Sequence, residues 1–284
     1  MSGTRHAVKV GVARGWTEFV LSLKSPQDQG FYLFNAVAVV GYLYVRRNAE
    51  IEGTTLAFPT LALPGILAAL IVFSLIAGPA YALAMEREDG TLLRAKCAPH
   101  GMTGYVAGQI VLHSLSLVPM LLVIMVPSAI LFDVFVGADL HGWFTFAWVV
   151  ALGLLATLPL GIVIGSLVPN AQKAGTWGFL PVIGMAMISG IFFPMSSLWG
   201  WVQVLAQALP LYWIGLGLRS AFLPAEAALG EIGGSWRTLE TLGVLSAWAI
   251  AGLILSPIVL RRMARHQSGA AVAEARDQAA QWVR

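Results

Sequence analysis

Few residues in this chain are able to do chemistry, and they lack the groupings that the common reactions need. None of the four lysines, Lys9, Lys24, Lys96 and Lys173, follows a glycine, so there is no Gly-x-x-x-x-Gly-Lys-Ser/Thr loop to cradle a nucleotide's phosphates. His6, His100, His113, His141 and His266 are dispersed, with no His-Glu-x-x-His pair and no Cys/His cluster, and no metal site is expected. Gly-x-Ser-x-Gly is absent as well. Cys97 stands alone, which excludes an internal disulfide, and its place in a charged loop suits a thiol facing a reducing compartment. Catalysis by this chain is not expected, and it needs no cofactor of its own.

The densest charge is the run Glu86-Arg87-Glu88-Asp89-Gly90-Thr91-Leu92-Leu93-Arg94. It comes abruptly after a long apolar stretch. Gly90-Thr91 then restarts a short helix that Pro99 and Gly101 end. Such a helix, lying across the ends of membrane spans, can offer Leu92 and Leu93 as anchors to a groove in another protein. Glu86 and Glu88 would pair with basic groups of that partner or with Arg87 and Arg94 of the same loop. Composition alone favours a solvated charged loop. His113, beside Gln109, Ser114 and Ser116, is the one ionisable residue deep in an apolar stretch; hydrogen bonding between helices is its simplest reading, ahead of a proton relay.

The elements that must carry these residues can be read from composition. Of the residues 58% are hydrophobic and 11% charged, about half the charge share of an ordinary soluble domain, and the mean hydropathy is +0.78. Six stretches are long and nearly free of charge, at about 29–45, 56–84, 104–132, 143–168, 176–198 and 239–260. The fold class expected is an all-α integral membrane protein with six transmembrane helices. Placing the N-terminus inside puts all but Arg46, Arg47, Arg219 and Arg237 of the 17 basic residues on the cytoplasmic side, so both termini are expected there. The net charge of +3 is scattered over loops and tails, and no nucleic-acid partner is implied.

Ahead of the first span, Val8, Val12, Trp16, Phe19, Val20 and Leu23 recur at helical spacing. They predict an amphipathic helix at the lipid interface, in which Val12, Trp16, Phe19 and Leu23 face the bilayer. Between the fifth and sixth spans, residues 199–238 form two short apolar pieces around Pro210, read as helices re-entering the outer leaflet. Three regions result: an interface helix over 1–28, a transmembrane domain over 29–260 and a polar cytoplasmic tail over 261–284.

The charged run resembles the Glu-Arg-Glu-x-Gly-Thr element that comes after the second span in permeases of the ABC-2 type. Ser189-Gly190-Ile191-Phe192-Phe193-Pro194, then Leu209-Pro210-Leu211 and Arg219, are similar to that family's late signature, and Asn170, Gln172 and Lys173 fill the short loop where it usually carries polar residues. The resemblance runs the length of the chain in the same order. It implies the permease subunit of an exporter in a bacterial inner membrane, moving an amphipathic drug, antibiotic or lipid-like compound outward. ATP and Mg would be bound by a separate ABC ATPase subunit, and a second permease copy or a homologous permease would complete a dimer. By the same resemblance, Glu86, Arg87, Glu88, Gly90, Thr91, Leu92, Leu93 and Arg94 form the region coupled to the ATPase.

Gly190, Phe192, Phe193 and Pro194 would lie on the translocation path, where the two rings can close an apolar constriction or simply pack. Gly161 and Gly165 allow close helix contact, within one protomer as readily as between two. The competing readings are a proton-coupled carrier or channel acting alone and a membrane scaffold.

Overall fold

In long apolar stretches the backbone donors and acceptors must be satisfied within the segment itself, which selects helices. The computed structural model describes residues 2–49, 56–168, 170–177, 179–190, 195 and 198–265. Among these the elements are helical throughout: α1 (Ser2–Ser22), α2 (Pro26–Arg46), α3 (Phe58–Glu88), α4 (Thr91–Cys97), α5 (Gly101–Phe132), α6 (Leu140–Leu167), α7 (Ala171–Trp177), α8 (Phe179–Ile188), α9 (Gly200–Ala208), α10 (Pro210–Phe222) and α11 (Thr238–Arg265). Two 3-10 turns, Ala225–Gly230 and Ile232–Gly234, join α10 to α11. The tail from 266 onward lies outside the described residues.

Four of these helices, α3, α5, α6 and α11, are long and apolar enough to cross a membrane. The α9–α10 pair, bent by 87°, brings the count to five if taken as one span. Six were expected. The first expected span is the 21-residue α2, in which Asn35, Tyr32, Tyr42 and Tyr44 dilute the apolar character. The fifth falls on α7 and the ten-residue α8, and residues 191–194 beyond α8 lie outside the described residues.

α3 forms the centre. Its buried side chains are distributed around the helix, and α6 and α10 pack against it. Glycine sets the α3–α6 approach: a Cβ on Gly165 would fall 2.7 Å from the Ala80 carbonyl oxygen, and one on Gly161 would meet the Ile76 backbone. The Gly161/Gly165 pair is therefore used within the protomer. α10 is buried along its length between α3, α6 and α11, with Gly217 against Val149 and Ile214 against Gly153.

α1 lies along the first turns of α5, running in the same direction. Its Ala7, Gly11 and Gly15 face Gly104 and Gly108, and a Cβ on Gly108 would fall 2.9 Å from the Gly11 carbonyl oxygen. The helix thus docks by a face of small residues. Val8, Val12, Trp16 and Leu23, the stripe that predicted it, remain exposed, and Phe19 is half-buried. Ser25 caps the next helix, α2, by accepting from the Asp28 N–H at 3.3 Å, and Pro26 occupies its first position.

Several distant segments meet at one end of the bundle. The α1 start reaches His100, where Thr4 Oγ1 and His100 Nδ1 are 3.4 Å apart, and Arg261 near the end of α11 donates to Thr103 Oγ1 at 3.4 Å. The α6–α7 junction lies at this end too, against the α3 terminus. At the opposite end, Phe135, Trp143, Phe146 and Phe222 form an aromatic cluster that joins α6 to α10.

Candidate functional site at the α3–α4 corner

With 31 residues, α3 is about 46 Å long at 1.5 Å per residue, so it overshoots a hydrocarbon core of about 30 Å. Its last turn carries the charged run, and each of the three consecutive charges reaches a different element. Glu86 Oε1 accepts from Arg14 Nη2 of α1 at 2.7 Å, and the same guanidinium donates through Nε to Glu18 at 2.6 Å. Arg14 also lies over the Tyr105 ring, 5.7 Å from its centroid. Arg87 Nη1 donates to the Val168 and Gly165 carbonyls at 2.7 and 3.4 Å, which serves acceptors left open where α6 ends. Glu88 Oε1 accepts from the Ala171 N–H at 2.7 Å, at the first turn of α7.

These charges are partly withdrawn from solvent, and each has at least one partner within the chain. The Glu86 side chain is 15% exposed and that of Arg14 32%. Burial works against the charge on Arg14, but the carboxylates of Glu86 and Glu18 outweigh it and hold the guanidinium above its usual pKa. Within the chain, Glu86 meets Arg14 of α1 and Glu88 meets the first turn of α7. The physical reason is proximity: the body of α1, the end of α6 and the start of α7 supply donors and acceptors beside the α3 terminus.

Gly90 turns the chain from α3 into α4 with φ of 81°, a left-handed conformation that suits glycine. The Asp89 carboxylate accepts from the Thr91 N–H at 2.7 Å. Leu92 is fully buried, Leu93 half-buried, and Arg94, Lys96 and Cys97 are exposed. Of the two expected anchors, only Leu93 keeps an outward surface, since Leu92 holds α4 to the bundle. On the neighbouring loop, Asn170 caps α7 by accepting from the Lys173 N–H at 2.8 Å.

The structure brings Glu86, Arg87, Glu88, Gly90, Thr91, Leu92, Leu93 and Arg94 together with α1. Sequence reasoning missed Arg14 as the residue that joins the two regions. Its spacing to Glu18 was a legible signal, but the partner 72 positions away was not. Gly190 closes α8 with φ of 74°, whereas Phe192, Phe193 and Pro194 lie outside the described residues. No group of three or more His, Cys, Asp or Glu among the described residues is arranged to hold a metal ion.

A family model described as ABC-2 type transporter matches residues 30–223, about two thirds of the chain, from the second turn of α2 through α10. α1 and α11 flank the matched part. No curated protein matches the chain.

Proposed function

The chain belongs to the ABC-2 type transporter family, and from that membership we propose that it is the permease subunit of an ATP-driven exporter whose ATPase is a separate polypeptide. It is a multi-pass membrane protein; the bacterial inner membrane, cytoplasmic termini and pairing with a second permease copy are parts of this reading. Its connectivity supports six crossings. α2 runs along the second half of α5 and ends beside Phe58, and the chain must pass from the α6–α7 junction at one end to the α9–α10 break near the other before α11 returns. The bent α9–α10 pair then serves as a re-entrant element, and α1 presents Val12, Trp16 and Leu23 to lipid.

One observation carries the coupling role. The α3–α4 corner is tied through three consecutive side chains to α1, α6 and α7, so a push on α4 is delivered to three helices at once. The outward face of α4 supplies Leu93 and Arg94 for contact with an ATPase. Export of an amphipathic compound would result from the two permeases shifting against each other as ATP is hydrolysed elsewhere.

Cys97 provides the test, being exposed on α4 and the sole cysteine in the chain. A maleimide–diazirine crosslinker attached there is expected to capture the ATPase subunit in the assembled complex upon illumination, and Leu93→Asp to abolish capture while α3 stays folded. Capture of lipid only, with ATPase activity intact, would remove the coupling role from this corner. The purified chain by itself is expected to hydrolyse no ATP.

A further inference from the structure

A cleft of about 520 Å³ opens between α1, α2, α3 and α5, within the volume range of small-molecule sites. It runs along α3 from Glu86 to Phe73, about 20 Å at 1.5 Å per residue, and along α5 from Gln109 to Met120. The two helices are in register midway, where a Cβ on Gly78 would fall 3.0 Å from His113 Cε1. The absence of a side chain at Gly78 leaves that room open.

The lining is chemically polarised. Glu18, Asp28 and Glu86 bring carboxylates from three helices, and no lysine or arginine lines the cleft among the described residues. Arg14 is the nearby cation, and its single guanidinium is shared by Glu18 and Glu86. The Asp28 carboxylate has no ion-pair partner among the described residues. With one guanidinium shared by Glu18 and Glu86 and none paired with Asp28, the site is net negative. The rest of its lining combines apolar and aromatic groups such as Phe31, Tyr32 and Phe73 with the uncharged polar groups of Ser74, Gln109 and Ser116 and the His113 ring. Two oxygens of lining residues, Ser22 Oγ and Glu86 Oε2, are buried without a hydrogen-bond partner. Such groups are costly unless something compensates them.

We propose that this cleft binds a lipophilic organic cation, with its positive centre held by Asp28, Glu18 and Glu86 and its apolar body lying along α3 and α5 between Phe73 and Met120. The carboxylates attract the charge through a poorly screened medium, and aromatic faces add cation–π attraction. The proposal rests on the permease reading for its purpose, since it would define the class of compound handled. An exported amine and an aminophospholipid headgroup share this chemistry.

The test needs neither ATP nor the ATPase, so its failure would leave the exporter reading standing, and failure of the latter would leave a bound cation in need of another purpose. The purified full chain, in phosphatidylcholine nanodiscs, is titrated with tetraphenylphosphonium and with tetraphenylborate, which match in shape and differ in sign. Saturable binding of the cation at least tenfold tighter than the anion is expected. Asp28→Asn should weaken it about tenfold, and Glu18→Gln in addition should weaken it further, with circular dichroism unchanged. Ser74→Phe, which fills the cleft without touching charge, should abolish binding. Repeating the titration with phosphatidylethanolamine in the disc identifies the source: competition assigns the site to a lipid amine, and no competition assigns it to a soluble cation, either result supporting a cation site. Equal binding of the two ions, or parental affinity in both carboxylate variants, would overturn the proposal.

Discussion

At the level of single residues, two ion pairs differ in how well they are satisfied. Arg14 sits between Glu18 and Glu86 with a ring beside it, so every neighbour favours its charge. A charged hydrogen bond in such a half-buried place contributes about 1–3 kcal/mol, more than the roughly 0–1 of a surface pair. Arg14→Ala and Glu86→Ala are each expected to lower the unfolding midpoint, and the double variant to lower it by less than their sum. Strict additivity in a thermal-shift cycle would show that the two do not interact. Arg219 is different: Nε donates to Glu231 at 2.6 Å, yet both Nη atoms are buried with no partner among the described residues. Removing the guanidinium alone leaves a buried carboxylate uncompensated, at a cost of roughly 3–5 kcal/mol. Arg219→Met should therefore destabilise more than Arg219→Met combined with Glu231→Gln, measured by the same shift; the reverse order would deny the pair its role. Neither the Arg14–Glu86 nor the Arg219–Glu231 pairing was legible from sequence, because a charge on one element does not name its partner on another, 72 positions away in the case of Arg14.

The helices show where periodicity informs and where it misleads. Pro210 and the apolar residues around it predicted two short pieces, and α9 and α10 meet there at 87°. The stripe of Val8, Val12 and Trp16 predicted a helix, and α1 spans Ser2–Ser22. The face that docks, however, consists of Ala7, Gly11 and Gly15, whose importance lies in the volume they lack. Hydrophobic pattern is blind to that. The same applies to Gly161 and Gly165, where spacing announced a close contact without saying which helix would make it. A side chain at Gly104 would fall 2.6 Å from the Ala7 carbonyl oxygen, with no flexible atom able to yield. Gly104→Val is expected to lift α1 from α5 and to break the Arg14–Glu86 contact with it. Trypsin cleavage after Lys9 and Arg14 should then accelerate several-fold, whereas Gly30→Val, which meets open space, should leave it unchanged. Equal cleavage in the parent and Gly104→Val would mean that α1 is not held by this face.

For the whole molecule, the distribution of basic residues and the positions of the helix ends bear on the same question from independent directions. The α1 start, the α4 corner, the α6–α7 junction and the end of α11 gather at one end of the bundle, linked by Thr4–His100, Arg14–Glu86, Arg87–Val168 and Arg261–Thr103. That gathering requires an even number of passages between α1 and the end of α11, whatever the length of each helix. It does not by itself say which side of the membrane this end occupies. The proposed cytoplasmic placement rests on the sign of the charges: among the described residues most Lys and Arg belong to this end, and cytoplasmic segments carry such an excess. The turn at Ala225–Gly230, with Glu226 exposed, belongs to the other end, next to α10 and the aromatic cluster. Two cysteine positions therefore make a paired test. Cys97 should resist a membrane-impermeant maleimide in intact cells and react in inverted vesicles, while Glu226→Cys in a Cys97→Ser background should show the opposite pattern. Reaction of both positions from one side would contradict the passage of the chain between the two ends, and a clean exchange of the two patterns would keep the fold and reverse its orientation.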